Sequence, residues 1–463
     1  MRLKTTLLFL LTALFTQLVF PQQEDLITVG KISVSGDKIT HKPIIFRELE
    51  FKEGETLSEI QLDNKIELSR QNLLNQSLFN FVFIDKKKIG NIIDIEIRVI
   101  ERWYIWPIPL LEYADRNINV WWQTKDFSRI NFGVDLRIEN FRGRKEQLNI
   151  IAKGGYDQLF KVNWQIPYLN KNKTFGMGFN AQYKLNHEIA VSTEKNKYVF
   201  YRSDDNYARK VGNLGIGFIY RPYFRFLHQV NVNFNHLQID DSVLMVNPDF
   251  TYGETEYNYF SINYTYKQDF RDYKPYPLNG YYFDIQLTKI GFGIISEDVS
   301  QIMLDFTADH YFNIYKRLNF AYSFRGRLSY TNNYQPFFLS EGIGVNGFDL
   351  RGYELYIING QNIGVFKSNF KFTLVPMKDF QIKWIKSEKF SKVFYGMYAN
   401  IFFDMGYAKE NYFSKGNPLS NQLLWGTGVG LDFITYYDIV IGLSYAINKQ
   451  NDKGFFVSLV API

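Results

Sequence analysis

Residues 317–330 read RLNFAYSFRGRLSY, and the order of side chains in this stretch decides the fold class. Leu318, Phe320, Tyr322, Phe324 and Leu328 alternate with Arg317, Asn319, Ser323, Arg325 and Arg327. A period of two places the two sets on opposite faces of a β-strand. Other segments repeat the rhythm. Ile130, Phe132, Val134, Leu136 and Ile138 oppose Arg129, Asn131, Asp135, Arg137 and Glu139. Val162, Trp164 and Ile166 oppose Lys161, Asn163 and Gln165, and Val230, Val232 and Phe234 oppose Gln229, Asn231, Asn233 and Asn235. A soluble sandwich shows the same alternation, with the apolar face inside. Scale separates the two, because the pattern runs from residue 117 to the end of the chain with no helix between strands. Closing so large a sheet removes its edges. Apolar residues toward lipid and polar residues toward a wet lumen then make a transmembrane β-barrel.

Strands are expected near 117–124, 128–139, 146–156, 159–168, 174–186, 207–221, 227–240, 256–268, 280–291, 299–313, 316–330, 362–376, 391–405, 421–434, 437–448 and 453–463. That is sixteen, an even number as in bacterial barrels. The 43 Phe and 33 Tyr suit interfacial aromatic girdles. Long connections near 187–206, 241–255, 331–361 and 406–420 all fall on one end, and short ones such as NKNK and IYKR fall on the other, where DYKPYPLNG and 377–390 are longer exceptions.

Ahead of the barrel, 26–101 reads as a small β-α-α-β-β domain, followed by a linker at 102–116. ITVGKISVSG alternates and stops at Gly36; a first helix starts at Pro43 and ends before Gly54. Ser58 begins a second helix with an apolar stripe of Ile60, Leu62, Ile66, Leu68, Leu73 and Leu74. Two strands follow, the last with Ile93, Ile95, Ile97 and Val99 on one face, so a three-stranded sheet under two helices is expected. Residues 1–22 carry Arg2, Lys4 and an apolar run from Leu7 to Phe20, the layout of a secretory signal peptide cleaved near Pro21 to Gln23. That run is short of the about 20 apolar residues a spanning helix needs.

The net charge of +6 is dispersed, with Lys86–Lys88 the one basic block, so no nucleic-acid footprint is expected. The chain has no cysteine, which excludes thiolate metal sites, a cysteine nucleophile, disulfides and a lipoprotein anchor. His41, His187, His228, His236 and His310 are scattered without metal spacing, and no nucleophile–base set or phosphate-cradling loop occurs. No enzyme activity, metal or cofactor is therefore expected.

The long sixth loop contains GFDLRGYELYIINGQ, with Leu350, Arg351, Gly352 and Tyr353 at its centre and Phe348 just before. FFDMG, Phe402 to Gly406, holds Asp404; DFRDYKPYPLNG holds Asp269, Arg271, Pro277 and Gly280. These segments, in this order behind a β-α-α-β-β domain, resemble the BamA/TamA superfamily of outer-membrane assembly and translocation proteins, also called the bacterial surface antigen type. The first domain is similar to that family's POTRA domain. The resemblance implies that the sixth loop folds into the lumen and that Arg351 meets Asp404 on the thirteenth strand, with Gly352 allowing close approach to the wall and Phe348 and Tyr353 on either side. It departs from the family at VFKSNFKFTLVP, where no acid stands between Phe366 and Pro376, so the expected partner is Asp404 alone or Asp404 with another lumen-facing acid. It further implies an outer-membrane location in a Gram-negative-type bacterium with the POTRA-like domain in the periplasm. Implied partners are outer-membrane lipids including lipopolysaccharide, unfolded or secreted protein clients, periplasmic chaperones and accessory lipoproteins. A passive pore or a solute or lipid transporter with an accessory domain is the alternative.

Overall fold

The computed structural model describes residues 26–113, 130–203, 206–223, 225–296, 298–331, 334–386, 391–435 and 438–459. The expected leader and the strand expected at 117–124 lie outside the described residues.

The N-terminal domain runs β1 (Leu26–Ser35), α1 (Lys42–Phe46), β2 (Thr56–Ser58), α2 (Glu59–Leu74), β3 (Phe79–Ile89) and β4 (Ile92–Glu101). Its sheet has the order β2-β1-β4-β3, with β1 parallel to β4. The fourth strand, β2, is added to the expected three; at three residues it is too short to show an alternation. Ser58 caps α2 through a reciprocal bond set with Gln61, which fixes where the helix begins. Leu62 and Leu73 are fully buried, as are Ile93, Ile95 and Ile97 on β4, whereas Ile60 and Leu68 from the expected stripe remain exposed. The helix thus buries a narrower face than its apolar content suggested.

Sixteen strands form one antiparallel sheet. They are β5 (Ile105–Tyr113), β6 (Ile130–Phe141), β7 (Glu146–Gly155), β8 (Gln158–Ile166), β9 (Phe175–Asn186), β12 (Arg209–Tyr220), β13 (Phe226–Ile239), β14 (Glu256–Asp269), β15 (Gly280–Ile290), β16 (Gln301–Tyr315), β17 (Leu318–Thr331), β20 (Asn362–Gln381), β21 (Lys392–Lys409), β22 (Leu424–Thr435), β23 (Ile439–Asn448) and β24 (Lys453–Ser458). Burial is inverted relative to a soluble protein. Phe132, Leu214 and Ile401 are 62%, 59% and 62% exposed, while Asn131, Asn369 and Lys371 are 2%, 0% and 1% exposed. Such a wall is stable only with hydrocarbon outside and water or polar protein inside. No helix of the described residues is long and apolar enough to cross a membrane.

The first strand of this sheet corrects the sequence reading. β5 lies within the stretch 102–116 taken as a linker, because Pro107 and Pro109 argue against a strand in a sheet interior. The prolines are accommodated by geometry. Glu139 N donates to Tyr104 O at 2.7 Å, and the β5–β6 register pairs Pro107 with Leu136 and Pro109 with Val134. Even-numbered residues of β5 therefore bond β6, and the nitrogens of Pro107 and Pro109 point to the other edge. The remaining expected segments each match a strand, the last of them shortened to β24 among the described residues.

The loops carry structure of their own. β10 (Glu188–Glu194) and β11 (Lys197–Arg202) form a hairpin, α3 (Asp241–Val246) follows β13, and β18 (Gly342–Ile343) pairs with β19 (Ile358–Asn359) inside the sixth loop. They converge over one end of the sheet: Asn417 Nδ2 donates to Thr193 Oγ1 at 3.0 Å, and Ile357 N donates to Asn196 O at 2.8 Å. The N-terminal domain sits at the opposite end. Its Glu48 is fully buried between Arg47 (3.0 Å) and Arg221 of the β12–β13 turn (3.3 Å), and accepts from Gln76 Nε2 at 2.9 Å.

Candidate functional site in the lumen

The sixth loop leaves β17 and returns to β20, and the short β18–β19 ladder closes its base through Gly342 opposite Asn359 and Ile343 opposite Ile358. Its tip turns at Gly352, where φ is +91°, a conformation that favours glycine. Arg351 is 7% exposed and Asp404 0%. Arg351 Nε donates to Asp404 Oδ2 at 2.7 Å, Nη2 donates to Asp404 Oδ1, and the Arg351 main-chain N reaches the same carboxylate at 3.3 Å. The pairing is bidentate, the geometry in which guanidinium and carboxylate match best. Nη2 also donates to Ser368 O on β20 at 3.2 Å, and the guanidinium carbon lies 3.9 Å from the Phe402 ring centroid. The twelfth strand, which lacks the acid, thus contributes a main-chain carbonyl in its place. The wall beside Asp404 also holds Lys367, its cross-strand neighbour, buried on the luminal face.

The remaining loop residues settle around this pair. Leu350 is buried against Gly406, where a Cβ would come within 3.1 Å of its side chain. Asn448 Nδ2 donates to Gly352 O at 2.8 Å, and Tyr353 OH donates to Gln450 Oε1 at 2.7 Å, fastening the tip to the β23–β24 turn. Phe348 departs from expectation. It lies under Arg327 of β17, with 5.1 Å from guanidinium carbon to ring centroid, and the ring beneath Arg351 is Phe402. Arg327 is itself paired with Asp305 at 2.6 Å and Glu341 at 3.3 Å, so a second cation already occupies the Phe348 side of the loop.

Asp269, Arg271, Pro277 and Gly280 come together elsewhere, in the β14–β15 turn at the domain end of the barrel. Arg271 pairs bidentately with Asp269, both bonds at 2.8 Å. Gly280 has φ +98°, and a Cβ there would collide with Phe270 O. This braced turn carries Tyr276 into the lumen, where its hydroxyl donates to Asp432 Oδ2 at 2.7 Å.

Sequence reasoning passed over Gly426, Ser368, Asn448, Tyr276 and Asp432. A Cβ at Gly426 would overlap Arg351 O, and one at Gly428 would stand 2.6 Å from the Phe402 ring. The signal was present: WGTGVG places glycine at three successive luminal positions of β22, Gly426, Gly428 and Gly430.

Beside the loop remains a luminal cavity of about 800 Å³, lined largely by amides and hydroxyls. Asn180 donates to Asn213, Asn213 to Asn235 at 2.8 Å, and Asn235 to Ser261 at 3.0 Å, a belt whose members satisfy one another.

The sequence profile of the Omp85 superfamily domain matches residues 140–458. The chain belongs to the Omp85 superfamily. In this Omp85 chain the N-terminal domain is a POTRA domain, matched over residues 27–102 by the profile described as surface antigen variable number repeat. No curated protein sequence matches the chain. Among solved structures, BamA from Haemophilus ducreyi lacking POTRA domains 1-3 is similar over 94% of this chain and 83% of that one, at 13% identity and a TM-score of 0.49. CdiB from Escherichia coli is similar over 93% and 75%, at 12% identity and a TM-score of 0.54. CdiB from Acinetobacter baumannii is similar over 94% and 74%, at 12% identity and a TM-score of 0.47. At 12% identity the likeness to CdiB from Escherichia coli speaks for the fold alone, and the fold is a POTRA domain joined to a 16-stranded antiparallel transmembrane β-barrel.

Proposed function

We propose that this protein inserts polypeptides into, or translocates them across, the bacterial outer membrane, with its POTRA domain in the periplasm. Membership of the Omp85 superfamily supports the class of function. The observation that carries the finer reading is the edge of β5. Pro107 and Pro109 remove two N–H donors from the side of the first strand that faces away from β6. An edge short of donors pairs weakly with whatever strand meets it. A weak seam between β5 and β24 suits a lateral exit or a template for an incoming strand.

Within this reading the POTRA domain receives the extended client. β3 forms one edge of its sheet and borders a groove lined by Phe83, Tyr273, Met377 and Phe394. Strand addition at such an edge uses main-chain bonds and tolerates many sequences. The sixth loop, seated through Arg351 and Asp404, holds the wall near the closing strands in one arrangement.

The chain has no native cysteine, so one engineered cysteine in β5 and one in β24 form a defined cross-link. Locking the seam should stop client insertion or export in cells depleted of the native protein, with activity restored by reductant. Full activity with the seam locked quantitatively sinks the proposal. The amide-lined cavity favours a second reading, a pore for polar solutes. That reading requires solute flux in purified, client-free vesicles that survives removal of the POTRA domain, with no change in outer-membrane or exported proteins.

A further inference from the structure

Two inserted segments meet on one strand face of the lumen, from opposite ends of the barrel. The sixth loop enters from one end and rests on Phe402 and Asp404. The β14–β15 turn enters from the POTRA end, and Tyr276 bonds Asp432, which also accepts from Asn400 Nδ2 at 2.9 Å. Asn400, Phe402 and Asp404 are alternate residues of β21, so the two contacts lie about 13 Å apart on the same face. The Tyr276 ring is clamped there, 4.6 Å from the Tyr398 ring centroid and 4.2 Å from Lys371 Nζ.

The turn is braced from within and is tied directly to the POTRA domain. Internally, Asp272 Oδ1 accepts from Tyr273 N at 2.8 Å and Leu278 N at 3.1 Å, beside the Asp269–Arg271 pair. Externally, Asn75, which caps the end of α2, donates to Asp272 O at 3.2 Å and accepts from Lys274 N at 3.2 Å. Tyr273 OH bonds Asp438, and Asp438 also pairs with Arg102, at the exit of the POTRA domain, at 2.7 Å.

We propose that Tyr276 is a positioning residue that carries the placement of the POTRA domain into the lumen and sets the wall on which Arg351 is seated. A shift of α2 moves the turn through Asn75, the turn moves Asp432 and Asn400 through Tyr276, and β21 passes the shift to Phe402 and Asp404. Asn75 makes none of the sixth-loop contacts, so a response of the loop to a change at Asn75 reports transmission rather than local repair.

The test uses the full chain in lipid nanodiscs, with spin labels on cysteines replacing Leu355 in the sixth loop and Lys415 in the neighbouring loop. Asn75→Ala should broaden the Leu355–Lys415 distance distribution and shift it to longer values. Tyr276→Phe, which keeps the ring and removes only the hydroxyl, should do the same. The double variant should show no more than the larger single effect, since both break one path. A distribution that ignores Asn75→Ala, or single effects that simply add, overturns the proposal. The measurement contains no client, so its failure is distinct from a failure of the insertion or translocation reading.

Discussion

The main-chain oxygen of Arg351 occupies the space that a Cβ on Gly426 would need. The loop therefore depends on what the wall lacks as well as on what it offers. Gly426→Ala should unseat the tip. A cysteine replacing the buried Leu350 reads this directly, since its labelling by a water-soluble maleimide should rise sharply in the Gly426→Ala background. Gly364→Ala, on β20 with nothing within 4 Å of the added carbon, should leave labelling unchanged.

The Arg351–Asp404 pair makes an energetic prediction. Truncating Arg351 to Ala leaves a fully buried carboxylate without its partner, and such losses cost about 3–5 kcal/mol. Asp404→Asn should cost a comparable amount, because the guanidinium is then buried against a neutral amide. The double change Arg351→Ala with Asp404→Ala should cost less than the two single truncations together. Thermal unfolding of the barrel on native gels checks all three.

Restoring donors to the first strand should tighten it. Pro107→Thr and Pro109→Thr return two N–H groups to the edge that faces away from β6, each worth about 0.5–1.5 kcal/mol if a partner strand accepts them. The expected outcome is a higher melting temperature with slower client insertion. A higher melting temperature with unchanged insertion argues against a working seam.

The junction between POTRA domain and barrel should be acid-sensitive. Burial pushes the Glu48 carboxyl up, but Arg221, Lys145 and Arg47 outweigh it and hold its pKa below the ordinary 4.5. The docked state then binds fewer protons than the undocked one. The stabilisation is complete above pH 4.5 and is lost as pH falls below that value toward the depressed one. Spin labels on the POTRA domain and on the β12–β13 turn should report separation on acidification. Glu48→Gln should abolish that acid step and leave the junction looser at neutral pH, with Arg47 and Arg221 facing a neutral amide in place of the carboxylate.

The sequence by itself determined the wall. Alternation such as Phe320, Tyr322 and Phe324 against Asn319, Ser323 and Arg325 fixes a strand and its two faces, since period two is a local property of backbone geometry. It also marked the loop that carries Arg351 and the strand that carries Asp404, because both lie in motifs resembling a known family. It misplaced β5, since proline argues against a strand until a neighbour shows which edge its nitrogen faces. Only the tertiary structure decided that Phe402 and not Phe348 lies beneath Arg351, that Gly426 makes room for the loop, and that Tyr276 reaches Asp432 across the lumen. These are contacts of loops and turns with strands distant in sequence. Their partners are selected by the curvature and register of the sheet, which no local pattern of residues records.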